Sequence, residues 1–556
     1  MNTPFVPYRW VELFSNQHEF AMMELERMPE YGFTGVTLTS TTEQFDNYMF
    51  TLPVVYRKHA DLNLLRDQNR IVESAEFLHE FSRRAHRLGL TVMCWYHVCN
   101  FAGTAADAVA QLRTKTIQSP LQGKRPRWFN AHGEPDFSRP DFYDFMASEV
   151  EDFFDQFPDV DGLYCWNCEC SHFTPTRLQH QSVSKAEIAR RSMRAIYDVC
   201  RRRGKIMTHD IHTKGADVEL TRGIIAAAAE MPEWILGADV TYSDWHMLLD
   251  TCPWLAEMRR HNRIYVAFDA AGEFFGQGRT IGGWPRWITK HFHNARQHGL
   301  TAISVRNNVN HPENSCQHVP MLEFNLRLVA QLALHGDVNL DDELRAWWRR
   351  HFTGELPDGM KEIFLSFEDY LEKTLYINGT NITEYNPDHG FPLKAVDVAP
   401  GYPCWHSEQF TRPGTPIPEI MCRMIKPEQQ RSRPVAELRQ EKLDAIALCD
   451  RAMGKVRSFK MAETDRAYFL RKLQQARDVA EAWLLTIEVV HPLYQLVGEQ
   501  HDASMTDPRA ALREALRRFL AHADGMEQCW GAQFYRRFTP KMRQFAADVP
   551  AKLYAE

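Results

Sequence analysis

Residues 161–173 read DGLYCWNCECSHF, and the fold depends on how that stretch is taken. Three cysteines, a glutamate and a histidine so close together read as a metal knot, as a redox motif, or as a strand whose end presents a carboxylate. A metal site needs convergent thiolates and a fourth ligand. Cys165, Cys168 and Cys170 have no second cysteine pair at zinc-like spacing to join them. A redox thiol is activated at a helix N-terminus, whereas DGLYCWN reads as strand. The strand reading leads, with small buried cysteines around an exposed Glu169. Alternation then puts Leu163, Cys165, Asn167 and Glu169 on one side, and Tyr164, Trp166, Cys168 and Cys170 on the other, beneath helices.

Working outward, the same strand signal recurs at regular intervals. YRWVELF, GVTLTS, LTVMCWYHV, KIMTHDI, WILGADVTY, RIYVAFDA and LTAISVRNN alternate with amphipathic stretches such as ESAEFLHEFSRRAHRLG and IARRSMRAIYDVCRRRG. Gly89, Gly204 and Gly299 stand at helix-to-strand junctions, where a left-handed C-cap is expected. Eight near-regular β–α units predict an α/β protein, a (β/α)8 TIM barrel over residues 1–315. A doubly wound sheet is the alternative. Strand signals then stop, and residues 316–556 predict an all-α C-terminal domain. Within it, residues 376–435 form a long segment rich in Pro, Gly and aromatics, of the kind that serves as a lid or binding loop.

Composition sets outer limits. Of 556 residues, 44% are hydrophobic and 25% charged, with a net charge of −7. That balance fits a globular protein, and it offers no basic surface for nucleic acid or anionic membrane. No apolar run approaches the roughly 20 residues that span a bilayer. The N-terminus lacks a secretory pattern, so a cytoplasmic location is expected. The 12 cysteines are mostly scattered and predict no disulfide framework, and the sequons at Asn378 and Asn381 are expected to carry no glycan.

In a (β/α)8 barrel the chemistry sits at the C-terminal ends of the strands. Glu169 falls there on the fourth strand, Asp239 on the sixth and Glu273 just past the seventh, with Asp269 inside that strand. Three carboxyls at one end of a barrel, flanked by Trp and Phe, suit the hydrolysis of a glycosidic bond with inversion. The same end gathers aromatic and polar residues fit for sugar: Trp95, His97, Asn100, Trp166, Asn167, His209, His212, Trp245 and Asn307. Lys214 and Arg306 are the cations there, and Arg can grip a carboxylate bidentately. Strand-end His, Asp and Glu would equally suit a metal-dependent isomerase or hydrolase, although YRWVELF carries no H-x-H.

Several segments resemble the microbial xylan α-glucuronidases, an inverting glycoside hydrolase family. FDAAGEFFGQG is similar to that family's QEYLGQ element. DGLYCWNCECS is similar to its DGF…NSEG segment at Asp161, Gly162, Asn167 and Glu169. GADV resembles its IDF at the sixth strand, and NLRLVAQLALHGDVNLDDELRAWWRRHFTG looks like its first C-terminal helices. The resemblance covers the barrel from about residue 90 and the start of the helical region. It implies that Glu169 is the general acid and that Asp239 and Glu273 position and deprotonate the attacking water. It also implies a homodimer paired through the C-terminal helices around Trp347–Phe352, whose amphipathic pattern equally suits packing on the barrel. Two features depart from the family. The family carries a β-rich domain before the barrel, whereas this sequence starts almost directly at the first strand signal, YRWVELF. The family's substrate-binding lysine before the fourth-strand glutamate is replaced by Cys165.

The sequence thus predicts a glycoside hydrolase acting on a terminal sugar, a uronic acid such as α-glucuronate among the candidates, from a short oligosaccharide and without metal or cofactor. The competing expectations are a metal-dependent barrel enzyme and a non-catalytic sugar-binding or assembly protein.

Overall fold

The computed structural model describes residues 4–13, 18–38, 52–65, 68–98, 123–132, 135–166, 180–211, 218–241, 247, 250–260, 263–272, 281–307, 315–377, 380–381, 435–497, 505–530 and 538–549. Eight parallel strands close into a barrel in sequence order: β1 (Tyr8–Leu13), β2 (Gly35–Leu38), β3 (Thr91–His97), β4 (Gly162–Trp166), β5 (Ile206–Ile211), β6 (Ile235–Asp239), β7 (Ile264–Asp269) and β8 (Leu300–Arg306). Closure is made by β1 pairing with β8, Trp10 opposite Ser304 and Glu12 opposite Arg306. The expected barrel is therefore the fold, and the doubly wound sheet is not.

The surrounding helices are α1 (His18–Tyr31), α2 (Gln68–Arg87), α3 (Pro140–Gln156), α4 (Lys185–Arg202), α5 (Val218–Ala229), the short α6 (Leu255–Met258), α7 (Pro285–Arg296) and α8 (Pro320–His335). Local sequence fixes their ends. Ser184 caps α4 by accepting from the Glu187 backbone N–H, the forward half of a capping box. The three junction glycines have φ of 74°, 65° and 80°, a left-handed turn that costs an L-residue strain. Helix α8 contacts α1, α7 and β8, so it is the eighth helix of the ring.

Beyond it lie α9 (Leu340–His351), α10 (Met360–Leu375), the short strands β9 (Tyr376–Ile377) and β10 (Thr380–Asn381), α11 (Val435–Ser458), α12 (Glu463–Val497), α13 (Pro508–Trp530) and α14 (Phe538–Asp548). This region is helical, as expected. Asn339 caps α9, whose acidic first turn and basic last turn both complement the helix dipole. One apolar core runs from the barrel through α9 and α10 into the first half of α12. A second, smaller one joins the rest of α12 to α13 and α14. Trp347 and Trp348 are fully buried inside this chain, Trp347 edge-on to Phe324 and Phe364 and Trp348 stacked on Phe469 at 5.6 Å. Neither is exposed for pairing with a second copy. Among the described residues, no helix is long and apolar enough to cross a membrane.

The ring and the C-terminal helices are tied by Arg286 at the start of α7. Its backbone N–H and Nε donate to Glu368 of α10, at 2.6 and 3.1 Å. Burial nevertheless pushes the Glu368 carboxyl up to about 7, against the opposing pull of Arg286. The folded state thus holds this proton more tightly than the unfolded chain. Its stabilising contribution is fully present below about pH 4.5 and is lost as pH rises to about 7. Wild type is expected to lose about 3 kcal/mol from this group between pH 4.5 and pH 8, a slope missing from Glu368→Gln in urea denaturation. Equal slopes for the two proteins would refute the assignment.

Candidate active site

Alternation along the strands decides which side chains reach the barrel interior. On β1 these are Trp10 and Glu12, while Arg9 turns out to bond the Gly32 and Val6 carbonyls. On β3 and β4 they are Trp95 and Tyr164, whose rings stack at 5.5 Å and 7°. Tyr265 of β7 meets both Tyr164, at 5.7 Å, and Trp10, at 6.4 Å. Those rings fill the lower interior.

Above them comes a layer of charge. Glu12 and Asp210 are the next-to-last residues of β1 and β5, and Asp239, Asp269 and Arg306 are the last residues of β6, β7 and β8. All five are nearly or wholly buried. Glu12, Asp210 and Arg306 are linked through Tyr164 and direct approach. The Tyr164 hydroxyl lies 2.6 Å from Asp210 Oδ2 and 3.3 Å from Glu12 Oε1. Ser304 of β8 donates to Glu12 Oε1 at 2.7 Å, and Arg306 Nε stands 3.9 Å from Glu12 Oε2. Asp269 Oδ1 accepts the Gly272 N–H at 2.9 Å, which fixes the turn leaving β7. Burial raises the Glu12 carboxyl, opposed by the Arg306 charge and the Ser304 hydrogen bond and aided by Asp239. The phenol of Tyr164 is raised well above its ordinary value by burial and by Asp210 and Glu12.

Several expected site residues belong to this layer or adjoin it: Asp239, Arg306 and Trp95. Two do not. His209 has the opposite parity to Asp210 on β5. It is fully buried with its ring 6.0 Å from Trp234, and desolvation pushes it down to about 3. A neutral ring held outside the interior cannot meet a substrate there. Asn307 is also fully buried, and its amide donates to Glu24 of α1 at 2.7 Å. It anchors the chain leaving β8 onto α1 instead of facing the mouth.

The opening stretch needs a correction as well. Over β4, Tyr164 faces the axis, and Cys165 lies by Cys200 of α4, with burial raising its thiol well above the ordinary value. The side expected to carry the carboxylate is, in the strand itself, the helix side. Aromatic rings fill the wide interior, and small Cys and Leu fit against a helix. His97 and Trp166 end their strands, but their side chains lie outside the described residues. So do Asn100, Asn167, Glu169, His212, Lys214, Trp245, Glu273 and the 382–434 part of the long segment. Among the described residues, no three His, Cys, Asp or Glu side chains are placed to hold a metal ion together.

Glu12 and Asp210 are the residues that sequence reasoning missed. The signal for Glu12 was present: in YRWVEL the period-2 face carrying Trp10 ends on a glutamate.

No family model matches the sequence, and no curated protein matches it. Among solved structures, the chain is similar to a GH138 enzyme targeting pectin rhamnogalacturonan II. The TM-score is 0.58 at 14% identity, over 95% of this chain and 63% of that one. The chain thus spans less than two thirds of that neighbour. The likeness is one of fold, to a GH138 enzyme, and it does not single out the xylan α-glucuronidases.

Proposed function

We propose that the chain is a glycoside hydrolase that removes a terminal sugar from a short oligosaccharide by carboxylate acid–base catalysis. One observation carries this reading: four carboxyls, Glu12, Asp210, Asp239 and Asp269, end inward at the C-terminal mouth of a closed barrel over a floor of stacked aromatic rings. Acids held in low dielectric around a mouth are what protonating a leaving group and activating a water require. In the finer form of the proposal the reaction inverts. Glu169 is the acid, and Asp239 with Glu273 directs the water, across the roughly 6.5–9.5 Å that an inverting pair leaves open. Arg306 is the cation proposed to face the carboxylate of a uronic acid.

The experiment is product release from a panel of aryl glycosides and oligosaccharides, uronides included, with and without EDTA, for wild type and Glu169→Gln. Turnover is expected to survive EDTA and to fall roughly 10²- to 10⁴-fold in the variant. Turnover abolished by EDTA and restored by a divalent metal would instead make the strand-end His, Asp and Glu groups metal ligands.

A further inference from the structure

The Tyr164 hydroxyl stands between two carboxyl groups and owns one proton. It lies 2.6 Å from Asp210 Oδ2 and 3.3 Å from Glu12 Oε1. A single proton satisfies one of these contacts. Both are hydrogen bonds only when one carboxyl is itself protonated and donates to the phenol oxygen.

The surroundings of Glu12 say which one. Its Oε1 accepts from Ser304 at 2.7 Å, but its Oε2 has no hydrogen-bond partner among the described residues. Arg306 Nε, at 3.9 Å, is beyond hydrogen-bond range. A buried carboxylate with one oxygen unsatisfied is costly, and a neutral acid in the same place costs far less. The charged groups facing Glu12 are Arg306 from β8, which favours ionisation, and Asp239 from β6, which opposes it. Tyr265 of β7 acts on it directly, and Asp210 of β5 through Tyr164, whose hydroxyl also meets that of Tyr265. Desolvation outweighs Arg306 in this balance.

We infer that Glu12 is held as a neutral acid in a proton-ordered chain, Ser304 to Glu12 to Tyr164 to Asp210, which keeps Asp210 ionised and oriented at the barrel mouth. Each link donates in the same direction. The Ser304 hydroxyl donates to Glu12 Oε1, the Glu12 Oε1–H donates to the Tyr164 oxygen, and the phenol O–H donates to Asp210 Oδ2. Glu12 and Tyr164 are thus positioning residues, acting on the mouth through Asp210.

The test reads the proton directly, in infrared difference spectra of the whole chain at neutral pH, wild type against each variant, over the C=O stretch of protonated carboxyls, where the Glu368 band common to both cancels. The band is expected in wild type and in D210N, lost in E12Q, and moved in frequency in Y164F, where its acceptor is gone. A band that survives E12Q and vanishes in D210N gives the proton to Asp210 and overturns the inference. Should E12Q not fold, Y164F decides: an unmoved band there overturns it too. A second arm rests on the glycoside hydrolase reading. In Y164F, Asp210 loses a donor to its charged form, so kcat is expected to fall about tenfold with KM within about twofold of wild type. An unchanged kcat overturns the positioning role. Absence of turnover in wild type defeats the hydrolase reading alone, because the infrared arm uses no substrate.

Discussion

Asp239→Asn is expected to lower kcat by roughly 10³-fold with the fold intact, the loss seen when a positioned base is removed. Asp239 is the last residue of β6 and is 1% exposed, so its carboxyl is fixed by the strand and not by a loop. Asparagine keeps the shape and a polar head but cannot take a proton from water. Isosteric replacement opens no cavity, so stability should stay within about 1 kcal/mol, well below the cost of truncating a core side chain. Steady-state kinetics on the responsive glycoside, paired with urea denaturation, checks both halves. A fall in kcat and kcat/KM together marks an interaction made in the transition state. A raised KM with kcat unchanged would reduce Asp239 to a binding contact and remove it from the proposed chemistry.

What the sequence could and could not reveal follows from the range of the forces involved. Local signals were readable: alternation along each strand, capping at Ser184, and positive-φ glycines at the helix-to-strand junctions. Strand ends were readable too, which is why Asp239 and Arg306 were placed at the mouth without coordinates. Parity was not. In THDI two polar residues sit side by side, and either His209 or Asp210 could face inward by local preference alone. Barrel closure decides between them, because only the even face of β5 meets Tyr164. The same closure inverts the reading of β4 and sends Cys165 to the helices. Glu12 gained its meaning only when β1 zipped to β8 and brought Ser304 and Arg306 to its side. The helix after β8 resists local reading for a related reason. PMLEFNLRLVAQLALH is buried on nearly every face, and no local pattern tells a barrel helix enclosed by a C-terminal domain from a helix of that domain.

Gly237→Ala is expected to be the most damaging single-methyl change in the barrel. Gly237 lies mid-strand on β6, paired with Asp210 on one side and Tyr265 on the other. A glycine there weakens a strand unless something needs its missing side chain, and here the Tyr265 ring occupies that space. A Cβ on residue 237 would overlap the ring itself, not the flexible end of a chain. Nor can the ring retreat, since Tyr164 and Trp10 hold it from two directions. The methyl must therefore part paired strands or expel a tyrosine from a filled interior. The cost should exceed the 1–3 kcal/mol common for overpacked cores, reaching roughly 4 kcal/mol. Urea denaturation measures it, and a double-mutant cycle locates it. Tyr265→Leu alone should destabilise by leaving a cavity, but in the Gly237→Ala background it should recover more than half of the loss, a coupling expected only of residues in direct contact. Gly237→Ala within about 1 kcal/mol of wild type, as for a surface change, would mean that Tyr265 does not cross the barrel here. The functional consequence runs through the same ring. A displaced Tyr265 takes away the support of Tyr164, and with it the hydrogen bond that orients Asp210. Turnover of Gly237→Ala should thus fall even at temperatures where the variant is fully folded.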